Sequence, residues 1–194
     1  GSEAVVQNFG VSGRSLLADS ANAYTKSQQY ADSKAFLPDM VILMLGTQDA
    51  SASVQKDKIK SGLTALIDDY RALSSKPTVV VATIPAAYST LHALAPANVQ
   101  KIAELQREVA AEAGCPLIDV NALLKDPAQY QDGVYLNADG YATLAAIVKD
   151  GIQTIRQPVV QEFSVDGCQA DIDNDNGTIQ LTLPAGTDLT ALQP

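Results

Sequence analysis

Cysteine, histidine and basic residues are all scarce in this chain. Two cysteines, Cys115 and Cys168, in 194 residues are too few for a disulfide scaffold. Neither stands in a ligand-spaced cluster, so both are expected as buried, inert thiols. Lysine and arginine number 13 against 22 acidic residues, giving a net charge of −9 and a pI near 4.4. That balance, with no basic run or stripe, excludes a binder of phosphate backbones, and no nucleic-acid partner is expected. The longest aliphatic run, Met40–Leu45, is far too short to span a bilayer. Neither a Gly-x-Gly-x-x-Gly fingerprint nor a P-loop occurs, which leaves a flavodoxin-like nucleotide binder without its phosphate cradle. No cofactor and no metal is expected.

The hydrophobic fraction of 46% is enough for a real core. Four runs read as strands: Ala4–Phe9, Met40–Gly46, Thr78–Ile84 and Pro116–Val120. The middle two are almost unbroken aliphatic, as expected of parallel strands covered on both faces. Between them lie amphipathic stretches. In Lys56–Leu73 the apolar residues Ile59, Leu63, Leu66, Ile67, Tyr70 and Leu73 fall on one stripe. Ala97–Ala113, stopped by Gly114, and Asp139–Ile155 repeat the pattern, the latter through Tyr141, Leu144, Ala145, Val148, Ile152 and Ile155. A weaker helix covers Tyr24–Phe36. Strand and helix units of this length predict right-handed crossovers and a three-layer α/β/α fold with a parallel sheet over about Glu3–Ile155.

After Arg156 the texture changes to short β segments separated by turn residues. The domain boundary is therefore expected at 156/157, with a linker and a partial β-sandwich over 157–194. Within that tail Asp171–Gly177 resembles a calcium loop only superficially. The sixth and twelfth positions of an EF-hand, Gly and Glu, are Asn176 and Thr182 here. Asn176-Gly177 between two β runs predicts a tight hairpin instead.

In doubly wound sheets ligands bind beyond the carboxyl ends of the strands. The segments at such ends are Asn8–Ser15, Gly46–Ala50, Ile84–Pro96 and Asp132–Asn137. Three of them, NFGVSGRSLL, PDMVILMLGTQD and DGVYLNADGYATLA, carry a resemblance in order and spacing to the SGNH or GDSL-type esterases and acylhydrolases. These look like the family's second, third and fifth blocks, and the bacterial carbohydrate-esterase-like members are the nearest in pattern. The resemblance implies a flavodoxin-like sheet and hydrolysis of acyl, above all acetyl, esters on carbohydrates or other acylated small molecules. It places Gly13 and Gln48 as oxyanion donors and Asp132 as the carboxylate that orients the base. The tail resembles the β-sandwich modules that follow catalytic domains in surface-associated bacterial proteins, which implies an extracellular or cell-surface location.

The sequence also departs from the family pattern. The family's Gly-Asp-Ser block, which carries the nucleophile and would lie upstream of Ala4, is absent from these residues. Ser12 and Ser15 fall in the second block, where loop bracing is the plainer role. Gln48 stands where the family has Asn, so the amide sits one methylene further out. A misplaced oxyanion donor costs on the order of a hundred- to a thousandfold in rate. Tyr135 stands where the family has its histidine. A phenol near neutrality holds its proton and cannot accept one from serine. Loss of the base in a serine hydrolase costs on the order of a millionfold.

Three further residues belong to this neighbourhood. His92, the single histidine, is either a migrated base or substrate contact, or an exposed loop residue. Asp49 is expected to cap or brace its loop. Tyr88, like Tyr135, either stacks on a sugar or packs internally. Two functional readings follow: an impaired serine esterase, and a catalytically silent pseudo-esterase serving as a glycan-binding or spacer module. In the family's strand order the strand bearing the serine lies between Ala4–Phe9 and Met40–Leu45. Those runs are therefore expected to be unpaired neighbours, completed by a cleaved N-terminal fragment in preference to a strand swapped from a second copy or part of the tail such as Thr178–Pro184.

Overall fold

A computed structural model describes residues 4–51, 54–156, 163–165, 167–173 and 178–187, with Ser51 and His92 described by backbone only. The chain divides into two compact units, Gly1–Ile152 and Gln153–Pro194.

The first unit is an α/β structure. Strands β1 (Met40–Leu43), β2 (Thr78–Ala82) and β3 (Leu117–Ile118) form one parallel sheet in that order. Helices α1 (Gln28–Ala35), α2 (Lys56–Arg71), α3 (Pro96–Glu112), the single turn α4 (Val120–Leu123) and α5 (Ala138–Arg156) connect or follow the strands. The expected parallel α/β architecture is what forms.

Alternation along β2 assigns the layers. Val79 and Val81 join the core cluster built from Ile59, Leu63 and Ile67 of α2 and Val99, Ile102 and Val109 of α3. Val80 and Ala82 are equally buried but point to the other face, because successive strand side chains alternate. Ile118 is in register with Ala82 and shares that face. There α5 approaches so closely that a Cβ on Gly151 would lie 2.7 Å from Ile118 Cγ1. Helices α2 and α3 thus cover one face and α5 the other. Each large aliphatic side chain buried this way contributes about 1.5–3 kcal/mol.

Local chemistry sets the helix ends. Ser27 caps α1 by accepting from the Tyr30 amide at 3.2 Å. Helix α3 opens on Pro96 and stops at Gly114, whose φ of +58° ends the helical path. The stripe of α2 is buried as its spacing predicts, but that of α5 is not. Leu144, Val148 and Ile152 are only half-buried, and Tyr141 and Ala145 are exposed. The longest strand, five residues at about 3.3 Å each, is far shorter than the roughly 28 Å of a 19-residue helix, so the sheet leaves part of it uncovered.

One expected strand is absent. Ala4–Phe9 has no strand pairing, and Val5 and Val6 are 79% and 89% exposed. The run is held at its end only. Phe9 packs on Phe36 with ring centroids 5.7 Å apart, and the Tyr24 hydroxyl donates to the Phe9 carbonyl at 3.1 Å. β-branched residues adopt a strand only beside a neighbour that pairs with them, and among the described residues none lies there. The edge of β1 away from β2 is likewise without a strand among the described residues. No described helix is long and apolar enough to cross a membrane.

The second unit contains two antiparallel ladders, β4 (Ser164–Val165) with β5 (Cys168–Gln169) and β6 (Asp171–Asp173) with β7 (Thr178–Gln180). Asp171–Asp173 thus forms one arm of an antiparallel pair with Thr178–Gln180, and residues 174–177, where the tight turn is expected, lie outside the described ones. Cys115 is buried, whereas Cys168 is partly exposed, contrary to expectation, its two-residue strand having a single partner among the described residues.

A buried amide holds the carboxyl end of the sheet together. Gln106 of α3 is fully buried among apolar side chains. Its Nε2 donates to the Leu45 carbonyl at 2.8 Å, and its Oε1 accepts from the Ile84 amide at 2.9 Å. One side chain therefore ties the segments leaving β1 and β2. We expect Gln106→Leu, which keeps the volume but strands both backbone groups, to lower the unfolding free energy by roughly 2–4 kcal/mol. Urea unfolding should show a lower midpoint at an unchanged m-value, and a loss within about 0.5 kcal/mol would contradict the role.

Candidate active site

Beyond the carboxyl ends of β1 and β2 lies a cavity of about 330 Å³. Loops from three parts of the chain wall it: Val11–Arg14, Leu45–Gln48 and Val134–Leu136, with Pro85–Ala87 and Leu144 completing the floor. The first loop turns at Gly13, whose φ of +73° suits glycine. A methyl placed there would sit 4.0 Å from Gln48 Oε1, so the Gln48 amide lies beside the Gly13 backbone. The second loop leaves β1 through Gly46, with φ +128°. A Cβ there would come within 2.9 Å of Ile102 Cγ2, so only glycine lets the loop pass so close to α3.

Asp49 clamps these two loops together. Its carboxylate accepts from the Ser15 hydroxyl and, at 2.9 Å, from the Leu16 amide, while Ser15 Oγ also accepts from the Leu17 amide at 3.0 Å. Asp49 and Ser15 are both buried. Both therefore brace the second-block loop from behind the cavity.

The Asp132–Leu136 loop is built around its own carboxylate. Asp132 Oδ1 accepts from the amides of Val134 at 2.9 Å and Tyr135 at 2.7 Å, an Asx-type turn that aims Tyr135 at the cavity. A bridge between Tyr130 and Leu136 closes the loop, and the Tyr88 amide donates to the Gly133 carbonyl at 2.7 Å. Tyr88 does not line the cavity. Its ring stands edge-on to Tyr130 at 5.1 Å and its hydroxyl donates to the Lys125 carbonyl at 2.5 Å. Burial raises its phenol above the ordinary range, with Asp126 adding to the effect. His92 falls in the short turn Leu91–Ala93, and its side chain lies outside the described residues.

Of the residues proposed from sequence, Gly13, Gln48 and Tyr135 therefore share one cavity. Asp132 and Asp49 support its walls, and Tyr88 buttresses one loop from outside. Sequence reasoning missed Arg14 and Tyr141, which line the cavity, and Gln106, which anchors its floor. Gln106 carried a signal, since it is a polar residue on the apolar stripe of α3 between Ile102 and Val109. Also missed was a polar cluster at the end of β3. Asp119 there accepts from Arg107 Nε at 2.8 Å and from Thr83 Oγ1 at 2.9 Å. Asn121 Nδ2 donates to the Ile84 carbonyl at 3.3 Å. Burial pushes the Asp119 carboxyl up, but the bonds from Arg107, Thr83 and the Ala122 amide outweigh it, and the net shift is down.

A parallel sheet whose outgoing loops gather a glycine, a carboxamide and an Asp-x-x-Tyr turn around one cavity is the frame of an SGNH-type hydrolase. The family model described as GDSL-like Lipase/Acylhydrolase matches residues 1–143, and the chain belongs to that family. It is 27% identical to an acetylxylan esterase from Xylanibacter ruminicola, over 76% of this chain and 35% of that protein. The chain thus spans about a third of that relative's length. Among solved structures, a catalytic mutant of an acetylxylan esterase from Geobacillus stearothermophilus superposes with a TM-score of 0.55 at 19% identity, covering 72% of this chain and 68% of that one. A lipase/acylhydrolase from Enterococcus faecalis gives 0.53 at 22% identity, covering 70% and 69%. At these identities the structures speak for the fold.

The Asp49 clamp has a pH signature. Burial raises its carboxyl above the ordinary 3.8, and the bonds from Leu16 and Ser15 only partly offset this. A raised folded value means that the folded protein holds a proton the unfolded chain has released. The stabilisation is fully present below 3.8 and is lost as pH rises through the folded value. The unfolding free energy of the wild type relative to Asp49→Asn should therefore fall with rising pH across that window. Urea titrations at stepped pH check this, and a difference that grows with pH would contradict it.

Proposed function

We propose that the cavity binds an acylated carbohydrate and that this chain by itself does not hydrolyse it. The observation that carries this reading is Tyr135, a phenol in the cavity wall at the place where the family carries its imidazole base. A phenol at neutral pH can stack against a sugar and donate a hydrogen bond, but it cannot take a proton from a serine hydroxyl. The carbohydrate class is suggested by the acetylxylan esterase relative. The exposed rings of Tyr135 and Tyr141 on the cavity lining suit a pyranose face.

A second reading is supported by the nearness of Gln48 to Gly13, the two positions at which the family carries its oxyanion donors. Under it, acyl-ester hydrolysis needs a serine presented to this cavity from a segment outside these residues, and His92 is a candidate base.

Two measurements separate the readings. The chain should bind acetylated xylotriose in calorimetry, and Tyr135→Ala should weaken that binding roughly three- to tenfold. Against 4-nitrophenyl acetate it should show no turnover that a serine-directed inhibitor suppresses. Inhibitor-sensitive turnover by the unmodified chain would favour the esterase reading. Absence of binding would overturn the carbohydrate reading.

A further inference from the structure

The cavity described above is lined by one charged residue, Arg14, and by no carboxylate among the described residues. That is unexpected on composition, because acidic residues outnumber basic ones 22 to 13 in the chain. Two carboxylates close in sequence to the lining residues bond elsewhere. Asp49 is turned to Ser15 and Leu16, and Asp132 to the amides of its own loop. Other cations do form ion pairs: Lys58 with Asp19, Lys60 with Glu108 and Glu112, and Arg107 with Asp119. Arg14 makes no ion pair with any described residue, and it is only half exposed. A half-exposed arginine on the lining of a cavity, with no ion pair among the described residues, is a recognition group for an anion.

We propose that Arg14 makes this cavity select saccharides that carry a carboxylate, the uronic acids and their oligomers. The proposal rests on the carbohydrate reading given above and narrows it. The ring of a uronic acid would lie against Tyr135 or Tyr141 while its planar carboxylate pairs with the guanidinium, an arrangement that a neutral pyranose cannot match. The net charge of −9 repels anions at long range, but beyond a Debye length of about 8 Å that repulsion is screened at physiological salt. Contact with Arg14 acts at hydrogen-bond distance and outlasts it.

The test compares trigalacturonate with its full methyl ester, which keeps the sugar and removes the charge. Calorimetry on the whole chain should give a Kd about tenfold lower for the acid than for the ester. Arg14→Gln, checked for an unchanged urea midpoint, should bring the two values together. Equal affinity for acid and ester in the unmodified chain would overturn the role of Arg14, as would a preference that survives Arg14→Gln. If acetylated xylotriose still binds in that event, the carbohydrate reading stands without the acidic selectivity. If none of the three ligands binds, both fall.

Discussion

The functional end of this molecule depends on a single buried carboxamide. Backbone groups leaving a parallel sheet at its carboxyl edge have lost their ladder partners, and burying them unpaired costs about 1–3 kcal/mol each. Gln106 meets that constraint for two strands at once, accepting from Ile84 and donating to Leu45 from a helix that otherwise contributes aliphatic side chains. Because both partners lie two residues beyond the ends of β2 and β1, the amide fixes where the following loops begin. The positions of Gln48 and of Pro85–Ala87 follow from that anchor.

Around the anchor, each loop carries its own polar brace. Asp49 joins the loop of Gly13 to that of Gln48, Asp132 folds the loop of Tyr135 on itself, and Asn121 holds the Ile84 carbonyl. The carboxylate at the family's base-orienting position, Asp132, accepts from two backbone amides of its own loop. The frame is that of an acylhydrolase, and on the reading proposed above Tyr135 stands at the family's base position, where a phenol serves binding and not proton transfer.

Much of the fold was legible because periodicity reports burial directly. The aliphatic runs at Met40 and Thr78 and the stripes of α2 and α3 could be placed from spacing alone. Ala4–Phe9 could not, since a strand exists only with a partner, and a run of β-branched residues does not say whether one is present. The stripe of α5 failed for the same kind of reason: it states which side chains could be covered and not how far the strands beneath extend. Gly13, Gln48 and Tyr135 were legible through block order. Arg14, Thr83 and Asp119 were not, because the meaning of each rests on neighbours tens of residues away, or on the absence of a counterion, which only three dimensions reveal.

The central claim is that the loops of Gly13, Gln48 and Tyr135 form one ligand site. Amide chemical-shift mapping during titration with acetylated xylotriose tests this most directly. The account predicts that the shifts cluster on Val11–Arg14, Gly46–Gln48 and Val134–Leu136 and move together with one saturation curve. Shifts confined to the second unit, or scattered over α1 and the outer faces of α2 and α3, would contradict it.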